Sequence, residues 1–257
     1  MSVSPLAIVA PDARIPASCW IGPYCEIGAG VELGENCRLD SHVVLHGPSR
    51  IGAENRFFPF STVGVEPQDL SYRGEPTRLE MGDHNVVREF CSLHRGTVKG
   101  GGVTTIGSHN LLMAYCHVAH DCRVGSHIIM ANCATLGGHV IVEDHVTVGA
   151  FSPVHQFVRI GQHAYIGGGT IVTQDVMPYA KTTAGRENHA YGANRIGLER
   201  AGFSGERIEA LQRAFKLLLH SGLNTTQALE AMRQLPAQPD VQYLMEFISA
   251  STRGVIK

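Results

Sequence analysis

Aliphatic and aromatic residues recur at every sixth position along most of this chain. The first run consists of Ile15, Ile21, Ile27, Leu33, Leu39, Leu45, Ile51, Phe57 and Val63. The second consists of Ile106, Leu112, Val118, Val124, Met130, Leu136, Val142, Val148, Val154, Ile160, Ile166 and Val172. A period of six matches neither the 3.6-residue period of a helix nor the alternation of a long strand. It is typical of a parallel β-helix of hexapeptide repeats, in which three short strands form each coil of a triangular prism.

Each coil uses three hexapeptides, so residues eighteen positions apart should stack at roughly the 4.8 Å spacing of neighbouring strands. Two polar or glycine-rich segments interrupt the repeat, at 66–80 (EPQDLSYRGEPTRLE) and at 98–105 (VKGGGVTT). We predict that both leave the prism as loops. Loops on a rigid scaffold are where binding residues concentrate.

The repeat fades near residues 175–178, and the pattern then becomes helical. We therefore predict a mainly β domain over residues 1–184, and a connector followed by a C-terminal α-helical domain over 185–257. Capping residues and apolar spacing predict three helices. They begin at Ser204, at Thr225 or Thr226 and at Pro239; the first stops at Gly222, and the other two run through Met232 and Ile248.

Charge composition narrows the class of protein. The chain carries 21 Lys and Arg against 23 Asp and Glu, with no basic run, so nucleic-acid binding is not expected. No apolar stretch approaches the roughly 20 residues of a membrane span, and the N-terminus lacks a signal-peptide core. We expect a cytoplasmic protein with no membrane span.

Seven cysteines suggest redox or metal chemistry until they are placed on the repeat. Six of them lie four residues after a repeat position, in a second inward-facing column: Cys19, Cys25, Cys37, Cys91, Cys116 and Cys122. No Cys-x-x-Cys pair is present. We interpret these cysteines as small buried hydrophobes.

Nine of the fourteen histidines fall into two groups. One group forms a regular column at a single repeat position, which we interpret as a turn preference: His84, His109, His127, His145 and His163. The second group, His117, His120, His139 and His155, occupies four different repeat positions. The eighteen-residue stacking predicts that Asp121 lies beside His139 and that Gly138 lies beside His120.

Two chemistries fit this second group. Three histidines can hold a zinc ion that keeps one position open for water. Alternatively, one histidine acts as a general base near neutral pH, and a glycine amide beside it binds an oxyanion. Spacing does not decide between them.

Specific motifs resemble one family. The segment LHRGTVKGGGVTTIGSHNLLMAYCHVAHD at Leu93, together with LGGHV at Leu136 and VHQF at Val154, is similar to UDP-N-acetylglucosamine O-acyltransferases of lipid A biosynthesis. The likeness extends over nearly the whole chain, through QDL at Gln68, GEPTR at Gly74, GLERAGF at Gly197 and STRG at Ser251.

This resemblance implies transfer of an (R)-3-hydroxyacyl group from acyl carrier protein to the 3-hydroxyl of UDP-GlcNAc, the first step of lipid A synthesis. It also implies a homotrimer with active sites between neighbouring prisms, and a left-handed winding that departs from the usual right-handed crossover. No cofactor and no metal are expected, because the phosphopantetheine arm arrives on the carrier protein.

The matching positions carry roles with them. His120 matches the general base, Asp121 the carboxylate that orients it, and the Gly138 amide the oxyanion donor, with no acyl-enzyme. The positions that match substrate contacts are Gln68, Asp69, Ser71, Arg73, His117, His139, His155, Gln156, Asn194 and Arg200. Gly168 matches the position that limits acyl-chain length, and its missing side chain predicts a longer acyl chain.

Two departures from the family stand out. The loop motif QDLK reads QDLS here, so Ser71 replaces a lysine that helps bind the sugar nucleotide. We expect Arg73 to supply the charge instead, with a different geometry. The connector GRENHAYGAN at Gly185 differs from the usual one.

Several alternatives stay open. The acceptor is UDP-GlcNAc or its 3-amino analogue, which would give an amide. The related N-acyltransferase of the pathway normally carries an extra N-terminal domain, whereas the repeat here starts within the first fifteen residues. A zinc-dependent, carbonic-anhydrase-like hexapeptide protein predicts bound metal. A non-catalytic scaffold predicts no effect of His120→Ala.

Overall fold

The computed structural model describes residues 2–183 and 189–257. The strands within these residues are almost all two to four residues long, as short sides of a coil require. In chain order they are β1 (Ser2–Val3), β2 (Ile8–Val9), β3 (Trp20–Ile21), β4 (Glu26–Ile27), β5 (Val31–Leu33), β6 (Arg38–Leu39), β7 (Val44–Leu45), β8 (Ser49–Ile51), β9 (Arg56–Phe57), β10 (Thr62–Val65), β11 (Arg78–Met81), β12 (Val86–Val87), β13 (Ser92–His94), β14 (Val103–Ile106), β15 (Leu111–Leu112), β16 (His117–Val118), β17 (Arg123–Val124), β18 (Ile129–Met130), β19 (Thr135–Leu136), β20 (Ile141–Val142), β21 (Thr147–Val148), β22 (Pro153–Val154), β23 (Arg159–Ile160), β24 (Tyr165–Ile166), β25 (Ala180–Thr183) and β26 (His189–Ala193).

Strands of successive coils stack on one another, and the described residues form the three faces of a left-handed β-helix, whose strand pairs are parallel except for the closing β25–β26 pair. We name them face A (β1-β3-β6-β9-β12-β15-β18-β21-β24-β25-β26), face B (β2-β4-β7-β10-β13-β16-β19-β22) and face C (β5-β8-β11-β14-β17-β20-β23). The register steps by eighteen residues, as in Val118 with Leu136 and Leu136 with Val154. The predicted fold class is confirmed.

The six-residue pattern is the core of the prism. The repeat residues from Ile21 to Val172 are at most 7% exposed, and the six column cysteines are at most 1% exposed. Their thiols are free and donate to backbone carbonyls, as Cys122 does to Gly137 O at 3.1 Å. The interpretation of these cysteines as small buried side chains therefore holds.

Asparagines replace hydrophobes at three positions of the same inward column. Asn55, Asn85 and Asn110 are at most 1% exposed and stack on successive coils. Asn85 donates through Nδ2 to Asn55 Oδ1 at 2.9 Å, and Asn85 Oδ1 accepts from the Asn110 amide at 3.0 Å. Buried amides are stable here because each finds partners in the turn above and below.

Both interruptions are loops, but they end earlier than predicted. β11 already begins at Arg78 and β14 at Val103, because each pairs in register with the neighbouring coil of face C. The loops therefore cover residues 66–77, which we name loop 1, and 95–102, which we name loop 2. Loop 2 contains a single 3₁₀ turn over Val98–Gly100.

The C-terminal segment begins with a hairpin of β25 and β26 and continues as α1 (Arg195–Arg200), α2 (Gly205–His220), α3 (Thr225–Met232) and α4 (Pro239–Ala250). The hairpin and α1 fall where the sequence suggested only a connector; residues 184–188 of that connector lie outside the described part. Asn224, not Thr225 or Thr226, caps α3, through a capping box with Gln227.

The helices are joined to the end of the prism by polar contacts. Arg207 of α2 pairs with Asp240 of α4 at 2.8 Å, and the buried Tyr179 donates to the same carboxylate at 3.2 Å. Among the described residues, no helix has both the length and the apolar character needed to cross a membrane.

Candidate active site

The residues suspected of chemistry gather along one edge of the prism. Both loops and the turns 119–122, 137–140 and 155–158 lie where face B passes into face C, so they stack on successive coils. We name this the loop edge. It contains His120, Asp121 and Gly138, as the spacing predicted.

His120 and Asp121 form a hydrogen-bonded pair at the centre of the loop edge. His120 Nδ1 lies 2.8 Å from Asp121 Oδ2, and the Asp121 side chain is completely buried. Thr97 of loop 2 donates its amide to Asp121 Oδ1 at 2.8 Å and its hydroxyl to Oδ2 at 2.6 Å. The carboxylate is therefore held in one orientation by two neighbours.

This arrangement keeps Asp121 ionised and fixes the tautomer of a neutral His120. Burial acts to raise the pKa of Asp121, but hydrogen bonds from His120 and Thr97 outweigh burial, and the net pKa is lowered. An ionised carboxylate only accepts, so Nδ1 of His120 carries the proton that it donates. The Nε2 atom of neutral His120 is then a proton acceptor, the state that a general base needs.

Gly138 stacks directly on the His120 ring. A Cβ atom at Gly138 would lie 2.6 Å from His120 Cε1 and 2.9 Å from Nε2, so a glycine is required here. Within the described residues, the Gly138 amide has no intramolecular acceptor. A buried donor beside the base is suited to an oxyanion.

His139 closes the other side of the pair. Its Nε2 lies 3.7 Å from Asp121 Oδ2, and its ring meets His120 edge-on at 5.2 Å and stacks on Phe157 at 4.4 Å. Burial lowers the pKa of His139. It is therefore a neutral neighbour of the pair.

His117 lies one strand earlier, on face B. It hydrogen-bonds Ser92 at 2.7 Å through Nδ1 and meets His94 edge-on at 5.1 Å. Burial lowers the pKa of His117 to about 4, so this ring is neutral at physiological pH. His155 and Gln156 are exposed at the next turn of the loop edge, where Arg253 approaches His155 Nδ1 at 3.2 Å.

Loop 1 contacts loop 2 beside the pair. Gln68 is exposed, and Asp69 accepts from the Ser71 amide at 2.7 Å, a bond that lowers the pKa of Asp69. Arg73 turns back on its own loop, donating to Leu70 O at 2.7 Å. The cation beside Ser71 is instead Lys99 of loop 2, whose Nζ lies 3.0 Å from Ser71 Oγ.

Lys99 was not singled out from the sequence, from which we expected Arg73 beside Ser71; the structure places Lys99 there and binds Arg73 to its own loop. The segment VKGGG was seen only as a loop, because no repeat rule marks a lysine inside it. The sequence does contain a clue to this contact. The serine after QDL and the lysine before three glycines lie in two loops that the repeat places at the same edge of the prism.

The remaining predicted site residues lie elsewhere on the prism. Gly168, Asn194 and Arg200 line a groove of about 920 Å³ on the outside of face A, above Ile129 and Tyr165. Asn194 accepts from the Gly197 amide at 3.3 Å as the cap of α1 and donates to His163 O at 3.3 Å. A single prism does not bring this groove together with His120.

The regular histidine column borders the same groove. His127, His145 and His163 stack in parallel at 4.6–4.8 Å, and each has a φ of 57–61°. The left-handed turn position supports the interpretation as a turn preference. Burial lowers the pKa of His163 to about 4.

A metal site at the loop edge has some geometric basis. His120, Asp121 and His139 each place one ligand atom within 4.8 Å of the others. However, both Asp121 oxygens already accept hydrogen bonds from Thr97, and His120 Nδ1 donates to one of them. Three of the roughly four lone-pair sites of the carboxylate are thus already used, so the arrangement fits an acid–base pair better than a metal centre.

Models of known protein families match the C-terminal segment and three stretches of the repeat. The family model described as UDP N-acetylglucosamine O-acyltransferase, domain 2, matches residues 175–256. Models of the bacterial transferase hexapeptide match 12–47 and 103–138, and the hexapeptide repeat of succinyl-transferase matches 139–174.

Relatives match at full length. The acyl-[acyl-carrier-protein]–UDP-N-acetylglucosamine O-acyltransferase of Thermodesulfovibrio yellowstonii is 45% identical over 98% of this chain and 97% of its own. The structure of LpxA from Acinetobacter baumannii is 44% identical with a TM-score of 0.94, covering 99% of both chains. LpxA of Bacteroides fragilis, a UDP-N-acetylglucosamine acyltransferase, is 38% identical with a TM-score of 0.96, covering 99% of this chain and 100% of its own. This chain therefore belongs to the family of acyl-carrier-protein-dependent UDP-N-acetylglucosamine O-acyltransferases.

Proposed function

We propose that this enzyme transfers an (R)-3-hydroxyacyl group from acyl carrier protein to the 3-hydroxyl of UDP-GlcNAc, with His120 as general base. The observation that carries the proposal is the His120–Asp121 pair, whose hydrogen bond leaves His120 Nε2 free to accept a proton. Membership of the family supports the choice of substrates, and the geometry of the loop edge supports the choice of the general base.

The reaction proceeds in one displacement. His120 Nε2 takes the proton of the sugar hydroxyl as its oxygen attacks the thioester carbonyl and a C–O bond forms. The Gly138 amide holds the oxyanion of the tetrahedral intermediate. The C–S bond then breaks, and His120 returns the proton to the thiol of the phosphopantetheine arm.

No acyl-enzyme is part of the proposal. Cys116 and Cys122 are the thiols nearest in sequence to His120, and both are fully buried in the prism. Burial raises the pKa of Cys122 to about 12, which keeps its thiol protonated. A covalent thioester intermediate would need a reactive thiolate, which this position does not provide. We likewise propose that the enzyme works without metal or other cofactor.

The separation of the two sets of predicted residues supports a homotrimer. His120 lies on the loop edge between faces B and C, whereas Gly168 and Arg200 line the groove on face A. If the loop edge of one prism packs against face A of the next, one active site contains both sets. Three copies then close a ring with three identical sites.

The groove on face A is the proposed place of the acyl chain. It spans three coils, through Ile129, Thr147 and Tyr165, and Gly168 lies at its rim. Because Gly168 carries no side chain, the groove stays open there, and a long hydroxyacyl chain is expected.

The test is acyl transfer from a panel of (R)-3-hydroxyacyl carrier proteins to UDP-GlcNAc and to its 3-amino analogue. We expect wild-type turnover with UDP-GlcNAc and a loss of about 10²–10⁴-fold in His120→Ala, since general-base catalysis contributes that much. Wild-type turnover with the amine alone would replace the ester reaction by the amide reaction. Activity that survives His120→Ala, or that depends on stoichiometric zinc, would refute the proposed mechanism.

A further inference from the structure

Lys99 is the cation that loop 2 presents to loop 1. Its Nζ lies 3.0 Å from Ser71 Oγ, and its side chain is exposed at the mouth of the loop edge. A serine hydroxyl satisfies only one of the three ammonium donors. The remaining donors of Lys99 face solvent, where a substrate can reach them.

The backbone of loop 2 places Lys99 with respect to the catalytic pair. Thr97, two residues earlier, binds both oxygens of Asp121, and a Cβ at Gly100, one residue later, would lie 1.9 Å from Asp121 Cγ. Gly101 and Gly102 follow with φ of 95° and 79°, which favours glycine. The loop is thus pressed onto Asp121 on both sides of Lys99.

The other cations of the two loops are committed elsewhere. Arg95 is buried and donates to Tyr72 Oη at 2.8 Å and to Gly64 O at 3.0 Å. Arg73 donates to carbonyls of its own loop. Lys99 is therefore the charge directed at Ser71 and Asp69 among the described residues.

We propose that Lys99 binds phosphate oxygens of a substrate at the loop edge and thereby replaces, from the second loop, the cation that Ser71 cannot supply. The assignment rests on the proposed function. An ammonium is a compact point charge with three donors and suits a phosphate oxygen. Two substrates carry such oxygens: the sugar nucleotide in its diphosphate, and the carrier protein in the phosphodiester of its arm.

The experiment measures kcat and both KM values for Lys99→Gln, Lys99→Arg and the relocated pair Ser71→Lys/Lys99→Gln. Lys99→Gln should raise one KM about tenfold, the loss of one charge-assisted hydrogen bond, with kcat changed less than about twofold. Lys99→Arg and the relocated pair should restore most of the affinity, because both return a cation to the same volume. The KM that rises identifies which phosphate is bound.

The control is Lys257→Gln, which removes an exposed lysine at the C-terminus and should leave both KM values unchanged. Unchanged KM values in Lys99→Gln would overturn the assignment, and so would a Lys99→Arg variant whose KM is as high as that of Lys99→Gln. Neither result would affect the proposed function as long as the wild type transfers the acyl group. If the wild type transfers no acyl group, the proposed function fails, and the role of Lys99 is tested by calorimetric binding of UDP-GlcNAc and of acyl carrier protein. Equal affinities of Lys99→Gln and wild type for both ligands would then overturn it.

Discussion

The orientation and the tautomer of one side chain, His120, depend on a buried neighbour. Asp121 is buried, and the Thr97 hydroxyl and amide hold its two oxygens before His120 adds a third bond. The pair is therefore preorganised by loop 2 and not by the repeat. Such preorganisation is what makes a histidine an effective base without changing its chemistry.

Gly138 offers a sharp test at this scale. In Gly138→Ala the new Cβ would lie 2.6 Å from His120 Cε1, so the ring must move. Because a displacement of about 1 Å at a reacting group can cost 10²-fold, we expect kcat to fall about 10²-fold while the thermal midpoint changes little. Steady-state kinetics and a melting curve measure both quantities.

Gly205→Ala is the matched control for that substitution. A Cβ at Gly205, the exposed first residue of α2, would meet no atom within 4 Å, and its φ lies outside the left-handed region. Its kcat should match wild type. Equal losses of kcat in both variants would mean that the effect of Gly138→Ala is not specific to the His120 ring.

At this scale the sequence predicted which residues meet, but not all of their contacts. The spacing of eighteen placed Gly138 over His120 because stacking is set by the repeat alone. Thr97 and Lys99 were not predicted, because they belong to a loop whose path no periodicity describes. Arg73 was chosen for its nearness in sequence, and the structure shows its guanidinium bound to its own loop.

At the scale of elements, we expect the buried ladder of Asn55, Asn85 and Asn110 to be the part of the core most sensitive to mutation. Asn85 donates to the Gly82 and Gly107 carbonyls at 3.1 and 3.0 Å and links Asn55 to Asn110. In Asn85→Val these buried groups lose their partners. We expect the free energy of unfolding to fall by about 3 kcal/mol or more, measured by urea denaturation.

Cys91→Val serves as the comparison, since Cys91 occupies the same column one turn later and is 1% exposed. A near-isosteric hydrophobic replacement should cost less than about 1.5 kcal/mol. A loss in Asn85→Val no larger than in Cys91→Val would show that the ladder contributes no more than apolar packing.

His163, at the C-terminal end of the histidine column, makes stability depend on pH. Burial lowers the pKa of His163 to about 4, whereas the unfolded ring titrates near its ordinary value of 6.5. Between pH 6.5 and 4 the unfolded state therefore binds more protons, and the free energy of unfolding decreases as pH falls. His163→Phe should weaken this dependence, since the ring no longer titrates.

Phenylalanine is a fair replacement because Phe151 and Phe157 occupy the same kind of turn position with φ of 55° and 65°. Urea midpoints of both proteins at pH 7 and pH 5 provide the measurement. An identical difference in His163→Phe and wild type would contradict the buried-ring explanation.

Helix positions were easier to predict than the elements between prism and helices. α2 and α4 begin where Ser204 and Pro239 indicated, because capping is read from local sequence. The β25–β26 hairpin and α1 were missed because their residues pack against the prism and carry little periodicity of their own. The inward asparagines were missed for a related reason: a polar residue in a core column is stable only through partners that the sequence does not name.

For the whole molecule, the separation of His120 from the face A groove leads to a complementation test. His120→Ala and Arg200→Ala subunits should each form weakly active trimers. When the two are unfolded, mixed and refolded, about a quarter of the sites should combine the intact loop edge of one subunit with the intact groove of another. Regained activity of that order, measured by acyl transfer, is the expected result; no gain over the separate proteins would place each site within one chain.

The length of the groove gives a second prediction at this scale. Gly168→Met would project a side chain into the groove on face A. The preferred acyl chain should then become shorter, with the long-chain donors losing kcat/KM and the short ones retaining it. A competition assay with mixed carrier-protein donors measures the shift, and an unchanged chain profile would exclude Gly168 as the limiting position.

The eighteen-residue coil also has a consequence for how this enzyme lineage can change. The groove crosses the coils one after another, so duplicating a single coil would lengthen it by a fixed increment of about 4.8 Å and leave every other coil in register. Substitution at its rim alters the length by the size of one side chain. The preferred acyl-chain length can therefore change in two ways. Insertion of a coil changes the groove length by a large, fixed amount, and a point mutation at the rim changes it by a small amount.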